Sequence, residues 1–279
     1  MPRLSTSTWS LHRALGPTYW DSPAEPSREP KEPYGPGSIS LLEVPARLAG
    51  MGIHTLEICH FHLPSRDDSY LGELRNALNN AGVELYSLLI DAGDVTDPAN
   101  VQRDRAWIGD WLATAGKLGA RCARISGGRT VDAGAVERCR DALTELAGVA
   151  EANGVRPMTE NWQDVLATAD NVLGVVEPLN GRVGLCADFG NLKGPGKYDE
   201  LERILPYAET CHAKCSFTSP FVPDQTDYDR CLELAQASGF DGPYVLIYDG
   251  PDDDEWKGLA LESEMIWASG AVSKNGHTV

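Results

Sequence analysis

Eight short apolar runs, each followed by a polar loop and a stretch of helical period, repeat along the 279 residues of this chain. They are Ser5 to Trp9, Thr55 to Cys59, Glu84 to Ile90, Cys122 to Ser126, Arg156 to Glu160, Val183 to Asp188, Thr210 to Lys214 and Tyr244 to Tyr248. Several are apolar almost throughout rather than at alternate positions, as parallel strands covered on both faces should be. The helical stretches have readable ends. Asp97-Pro98 reads as N-cap and first residue of a helix with Val101, Ile108, Trp111, Leu112 and Leu118 on its apolar face and Gly119 as its stop. Ser69 to Ala81 closes at Gly82, Ala133 to Ala152 near Gly154, and Asp224 to Ala237 before Gly239, with Trp256 to Trp267 as the last helix.

Eight such alternations predict one α/β domain over residues 1–279, a single (β/α)8 TIM barrel, which typically needs ~250 residues. An open dinucleotide-binding sheet would carry GxGxxG after its first strand, and TSTWSLHRALG stands there instead; KGPGK, at 193–197, lacks the spacing of a phosphate-binding P-loop. A loop rich in Pro, Gly and charge, 16–37, follows the first strand and in a barrel lies over the C-terminal face. It reads as a lid, as a contact loop in a homo-oligomer, or as a disordered insertion. Residues 271–279 read as a polar tail.

With 24 basic and 41 acidic residues, a formal charge of −17, the surface repels phosphate backbones and excludes nucleic acid as a partner. No apolar stretch approaches ~20 residues, which excludes a spanning helix and a membrane partner. The seven cysteines are scattered without framework spacing, and the opening MPRLSTSTWSL has no apolar signal core, so a reducing, cytoplasmic location is expected. The acidic run Asp252 to Glu255 reads as a solvated loop, because it lacks the spacing of a calcium loop.

Chemistry concentrates in the second half. Glu160, Asp188 and His212 sit on three separate strand-like runs, and two carboxylates and an imidazole converging from neighbouring strands make a hard-to-borderline divalent metal site without thiolate. The competing structural readings are a helix cap for Glu160, a turn aspartate for Asp188 and a satisfied core histidine for His212. Arg124 and Lys214 are charged groups inside strands and need partners. Each reads either as a structural salt bridge or as an active-site group, with Arg124 binding substrate and Lys214 stabilising an enolate or moving a proton. Glu57, His60 and His62 in EICHFH are candidate substrate contacts, His62 also a candidate proton carrier, while His54 belongs to the opposite face. Asp91 and Asp94 read equally as turn caps and substrate contacts. Trp9, His12, Trp20 and Trp162 supply a platform for a sugar ring, although core packing explains Trp9 as well. Cys211 and Cys215 read as core.

LEIC, LGARCARISGG, TEN, GLCADFGN, CHAK and GFDGPYVLIYDG, in this order and spacing, resemble the xylose isomerase-like TIM-barrel superfamily, in its sugar phosphate isomerase/epimerase branch, from Ser5 to about Gly258. The resemblance implies a bound divalent metal, Mn2+ first, with Co2+, Mg2+, Zn2+ or Fe2+ as alternatives. Glu160, Asp188 and His212 would be three of four ligands; the fourth, a glutamate on the eighth strand, is replaced by Ile247. Asp249, two residues on and on the same side of the strand, is the candidate substitute. Asn191 stands where a substrate-contacting histidine is frequent. The implied function is isomerisation or epimerisation of a sugar or related polyhydroxylated carbonyl compound, by proton abstraction next to a metal-polarised carbonyl. Loss of the second glutamate makes a metal-dependent lyase or dehydratase on a keto-sugar or keto-inositol the alternative, and a non-catalytic sugar-binding barrel without metal the third reading. A base-excision nuclease is disfavoured by the charge and by only six histidines.

Overall fold

Apolar runs covered on both faces leave no free edge when they close on themselves, and this chain does so. The computed structural model describes residues 1–274. Its strands are β1 (Arg3–Ser7), β2 (Thr55–Cys59), β3 (Glu84–Ile90), β4 (Cys122–Ile125), β5 (Arg156–Glu160), β6 (Gly184–Asp188), β7 (Ala208–Lys214), a small hairpin of β8 (Phe217–Ser219) and β9 (Val222–Pro223), and β10 (Pro243–Ile247). All but the hairpin form a closed parallel barrel in the order β1-β10-β7-β6-β5-β4-β3-β2. The helices are α1 (His12–Leu15), α2 (Val44–Gly50), α3 (Asp68–Ala81), α4 (Val101–Leu118), α5 (Ala135–Ala152), α6 (Ala169–Val176), α7 (Lys197–Ile204), α8 (Gln225–Ala237) and α9 (Glu255–Ser269). This is a (β/α)8 barrel, and no helix among the described residues is long and apolar enough to cross a membrane.

Local chemistry explains where the boundaries fall. α3 and α4 end at Gly82 and Gly119, both left-handed (φ 63° and 74°), where a side chain would be strained. α8 opens on Asp224, whose carboxylate accepts from the Asp227 amide. α4 begins at Val101 rather than Pro98, because the Asp97 carboxylate accepts from the Ala99 amide and Asn100 Nδ2 and closes a turn ahead of the helix. β1 starts and ends two residues early: Ser7 caps a 3-10 turn, Thr8–Leu11, and lifts Trp9 out of the sheet onto the C-terminal face. The acidic run is not simply solvated. Asp254 caps α9, and Glu255 is buried, accepting from the Arg13 and Ala14 amides at 2.8 and 2.9 Å. In the predicted tail Ala271 and Val272 are buried, and residues 275–279 lie outside the described residues.

The main apolar core fills the space between strands and helices, and a smaller cluster inside the barrel, Tyr86, Cys122, Met158 and Cys186, floors it. The Pro/Gly-rich segment is tied down. Tyr19 donates its amide to Phe61 O (2.7 Å), Thr18 and Lys31 exchange backbone hydrogen bonds, and Arg28 pairs with buried Asp21 at 2.6 Å. Its two ends cross at Gly16, where a Cβ would stand 2.2 Å from the Gly37 nitrogen, so only glycine fits.

Candidate metal and substrate site

Strand register brings the distant polar residues to one level. Asp188 on β6 lies beside His212 on β7, and Glu160 ends β5 one strand further round. All three are nearly buried. Glu160 Oε1 and Asp188 Oδ2 each stand 3.6 Å from His212 Nδ1. The other imidazole nitrogen, Nε2, donates to Glu57 Oε2 at 2.9 Å, which leaves Nδ1 facing the two carboxylates. Burial opposes a charged imidazole, but Cys186, Glu160 and the hydrogen bond to Asp188 outweigh it and raise the His212 pKa well above the ordinary range.

These residues fit a divalent cation. Ligands bound at ~2.1 Å around one ion stand about 3.0–3.5 Å apart, close to the separations here. Two carboxylates facing one imidazole nitrogen favour positive charge between them, and a bound cation would supply it. A carboxylate behind a ligating histidine is the usual supporting contact, fixing the tautomer and the ring plane. Cys186 was not anticipated: Glu160, Cys186 and His212 present ligand atoms within 4.8 Å of one another. Burial pushes the Cys186 pKa up to about 11, which keeps it a thiol; the oxygen of Asp188 suits a hard ion better.

The carboxylates are themselves held in place. Glu160 Oε1 accepts from Asn191 Nδ2 at 2.9 Å, and its Oε2 lies 3.0 Å from Arg124 Nε. Asn161 clamps Asp188 by accepting its amide proton (2.7 Å) and donating to its carbonyl (3.0 Å). The buried Arg124 also pairs with Asp91 at 2.5 Å and lies over the Trp162 ring at 4.7 Å. Burial raises the Asp91 pKa, but Arg124 and His60 together outweigh it and hold the carboxyl down at about 2. Asp94, by contrast, accepts from Thr96 and Thr130 and organises its loop.

Above these groups is a chamber of about 70 Å³ at the C-terminal ends of the strands, lined by Trp9, Arg124, Glu160, Asp188, Asn191, His212 and Lys214. Ile247, level with Lys214, closes its opposite wall where the fourth ligand was expected. Asp249 does not line the chamber. It is half exposed at the rim and pairs with Lys214 Nζ at 2.9 Å. Burial lowers the Lys214 pKa, but this hydrogen bond and the charges of Asp249, Asp188 and Glu160 together overcome it, so the pKa is held above its ordinary value.

Four other predicted residues stand elsewhere. Glu57 lies behind His212, out of the chamber. His12 lines a second, outer cavity of about 320 Å³ that shares Trp9, Asp91 and Trp162 with the chamber. His60 is a buried strut, accepting from the Asp91 amide through Nδ1 and donating through Nε2 to Asp21 O. His62 is directed away, with Nδ1 at Thr8 Oγ1 (3.0 Å) and Nε2 at His12 Nδ1 (3.3 Å). Its EICHFH neighbours share a face in an extended chain, but His60–His62 forms a 3-10 turn that separates them. Asn161 and Cys186 were missed, although TEN and GLCAD carry them next to residues already singled out.

Several solved structures share this architecture. A xylose isomerase-like TIM barrel protein from Mycobacterium smegmatis, solved in complex with magnesium, superposes with a TM-score of 0.68 at 17% identity, covering 97% of this chain and 98% of that one. D-psicose 3-epimerase from Clostridium cellulolyticum H10, solved with D-tagatose, gives 0.60 at 18% identity over 84% and 91%. 3-Keto-D-glucoside 4-epimerase from E. coli gives 0.61 at 18% identity over 80% and 93%. No curated protein matches the chain by sequence. The family profile described as xylose isomerase-like TIM barrel matches residues 45–267. On that match, which takes in every barrel strand except β1, the chain belongs to the xylose isomerase-like TIM-barrel family.

Proposed function

We propose that this protein is a divalent-metal-dependent isomerase or epimerase acting on a sugar or related polyhydroxylated carbonyl compound. One observation carries the reading: Glu160 and Asp188 converge on Nδ1 of a histidine whose other nitrogen is committed to Glu57, beneath a chamber at the C-terminal face. Glu160, Asp188 and His212 would hold the metal, Mn2+ first among the ions such ligands accept. A bound ion supplies polarisation of a substrate carbonyl or hydroxyl and acidifies the neighbouring C–H. The relatives solved with magnesium and D-tagatose accord with this reading.

The chain's own groups have separable tasks. Glu160, oriented by Asn191 and Arg124, removes the proton. Lys214, kept charged by Asp249, donates to the oxygen on which negative charge develops. Trp9, Arg124 and Asn191 border the substrate. His62 takes no direct part, since it faces His12 and Thr8. Ile247 leaves the wall opposite Glu160 without a second carboxylate, so proton removal and return at one carbon by two facing bases is not supported. The same observation favours, as a second reading, a lyase or dehydratase in which Lys214 protonates the departing hydroxyl. Incubation of the Mn2+-loaded protein with keto-sugars in D2O tests both: deuterium in recovered or isomerised sugar supports the first, and net loss of water the second. Metal-free protein that takes up no Mn2+ and exchanges no proton defeats both and leaves the sugar-binding barrel.

A further inference from the structure

We propose that the substrate is a sugar carrying an aryl or comparably flat apolar substituent, with the substituent held in the aromatic vestibule outside the reactive chamber; this rests on the sugar chemistry proposed above. The inner chamber, about 70 Å³, has room for only about five water-sized groups, so part of any hexose must lie outside it. Beside it is the larger cavity of about 320 Å³, which shares Trp9, Asp91 and Trp162 with the chamber wall.

Rings wall that cavity. Tyr34 stacks on His12 (centroids 4.7 Å apart, planes 20° apart), and His12 is nearly parallel to Phe61 (13°). Trp20 leans on Phe61 at 4.7 Å. Trp20 and Tyr34 nevertheless remain 38% and 44% exposed, so large apolar faces are left uncovered at the mouth of a polar active site. Both belong to the segment at 16–37, which the Tyr19–Phe61 hydrogen bond and the Arg28–Asp21 pair hold against the barrel, so the cage is built before a ligand arrives. The one carboxylate on its wall, Asp91, is neutralised by Arg124, and the exposed cations Lys31 and Arg129 lie on the lining with Thr18 and Pro33. Polar groups are present, but Asp91 is committed to Arg124, and Lys31 and Arg129 are exposed to solvent, so the rings form the largest ordered surface of this wall. A flat apolar group needs only the rings. With the substituent outside and the reacting end inside, the bonds that change lie away from the carbon bearing the substituent.

Isothermal titration calorimetry of the Mn2+-loaded full-length protein with methyl β-D-glucopyranoside and phenyl β-D-glucopyranoside tests this. The phenyl glycoside should bind at least about 10-fold more tightly, the worth of one or two aromatic contacts. In the Trp20→Ala/Tyr34→Ala double variant the ratio of the two affinities should fall to near one. Both replaced side chains are partly exposed loop groups, and circular dichroism checks that the variant is folded. Equal affinities in the unaltered protein, a ratio unchanged in the variant, or binding of neither glycoside overturns the inference. Deuterium exchange on free keto-sugars is a separate readout. Exchange without aryl preference sinks the vestibule inference alone; aryl preference without exchange sinks the isomerase reading alone.

Discussion

Glu57 and His212, 155 positions apart in the chain, are joined by a 2.9 Å hydrogen bond across the barrel interior, Nε2–H donating to Oε2. Glu57 is completely buried, and its second oxygen has no hydrogen-bond partner among the described residues. A carboxylate in that position is costly unless it holds something in place. What it holds is the imidazole ring, with Nδ1 turned to Glu160 and Asp188.

Glu57→Gln should keep the barrel folded but weaken Mn2+ binding by about 10–100-fold, because the amide is a poorer acceptor for the Nε2 proton and its NH2 group favours the wrong tautomer. Calorimetric titration of the metal measures it. Unchanged affinity would show that Glu57 serves packing alone.

Asp188→Ala should abolish stoichiometric metal uptake, measured by elemental mass spectrometry. Ile247→Glu should tighten it by at least about tenfold, since Ile247 lines the chamber level with Lys214 and a carboxylate there adds a ligand. No gain in the Ile247 variant would mean that another group already completes the coordination.

Lys214→Met should lower kcat by about 10²–10⁴-fold while leaving metal affinity equal or higher, because it removes a proton donor and a positive neighbour of the site. A loss confined to KM would reassign Lys214 to substrate binding.

Burial lowers the His12 pKa to about 4 against the opposing pull of Asp249. The folded protein therefore favours neutral His12, whereas the unfolded chain protonates it near the ordinary pKa of ~6.5. The stabilisation is complete above that value and is lost progressively as pH falls from ~6.5 to about 4, by about 2–3 kcal/mol after allowance for partial exposure. Urea titrations across this window should show a shallower slope for His12→Gln than for the unaltered chain. Identical slopes would remove His12 from the pH dependence.

Glu262 on α9 is completely buried, and neither of its oxygens has a hydrogen-bond partner among the described residues. Burial raises its pKa well above the carboxylate range. A raised acid contributes stability at low pH that is lost as pH rises. Glu262→Leu should thus stabilise the protein at pH 8 by about 1–3 kcal/mol and change little at pH 4. A lower Tm at pH 8 would reveal a partner for the carboxylate.

Where the signal is local, the sequence is a close guide. β2, β3 and β5 span the very residues read as apolar runs, because a strand covered on both faces must be apolar at nearly every position. The ends of α3 and α4 follow from single glycines that tolerate positive φ. The polar ends of β5 and β6 are equally visible, since a carboxylate closing an apolar run stands out. Less legible were turns in which side chains compete with the backbone. Asp97, which has the look of a helix cap, closes the preceding turn instead, and the chain after Cys59 bends into a 3-10 turn that no single residue of EICHFH signals.

By itself, then, the sequence determined the barrel and marked Glu160, Asp188 and His212 as candidate ligands, because burial pattern and residue chemistry are written in neighbouring positions. Only the tertiary structure decided which groups meet. Barrel closure sets Glu57 behind His212, and register sets Ile247 rather than Asp249 on the chamber wall. The turn after β2 sends His62 away from the chamber, and the packed segment at 16–37 places Trp20 and Tyr34 over its mouth. These are contacts between residues tens to hundreds of positions apart. Strand order and register, properties of the closed sheet and not of any one segment, fix them.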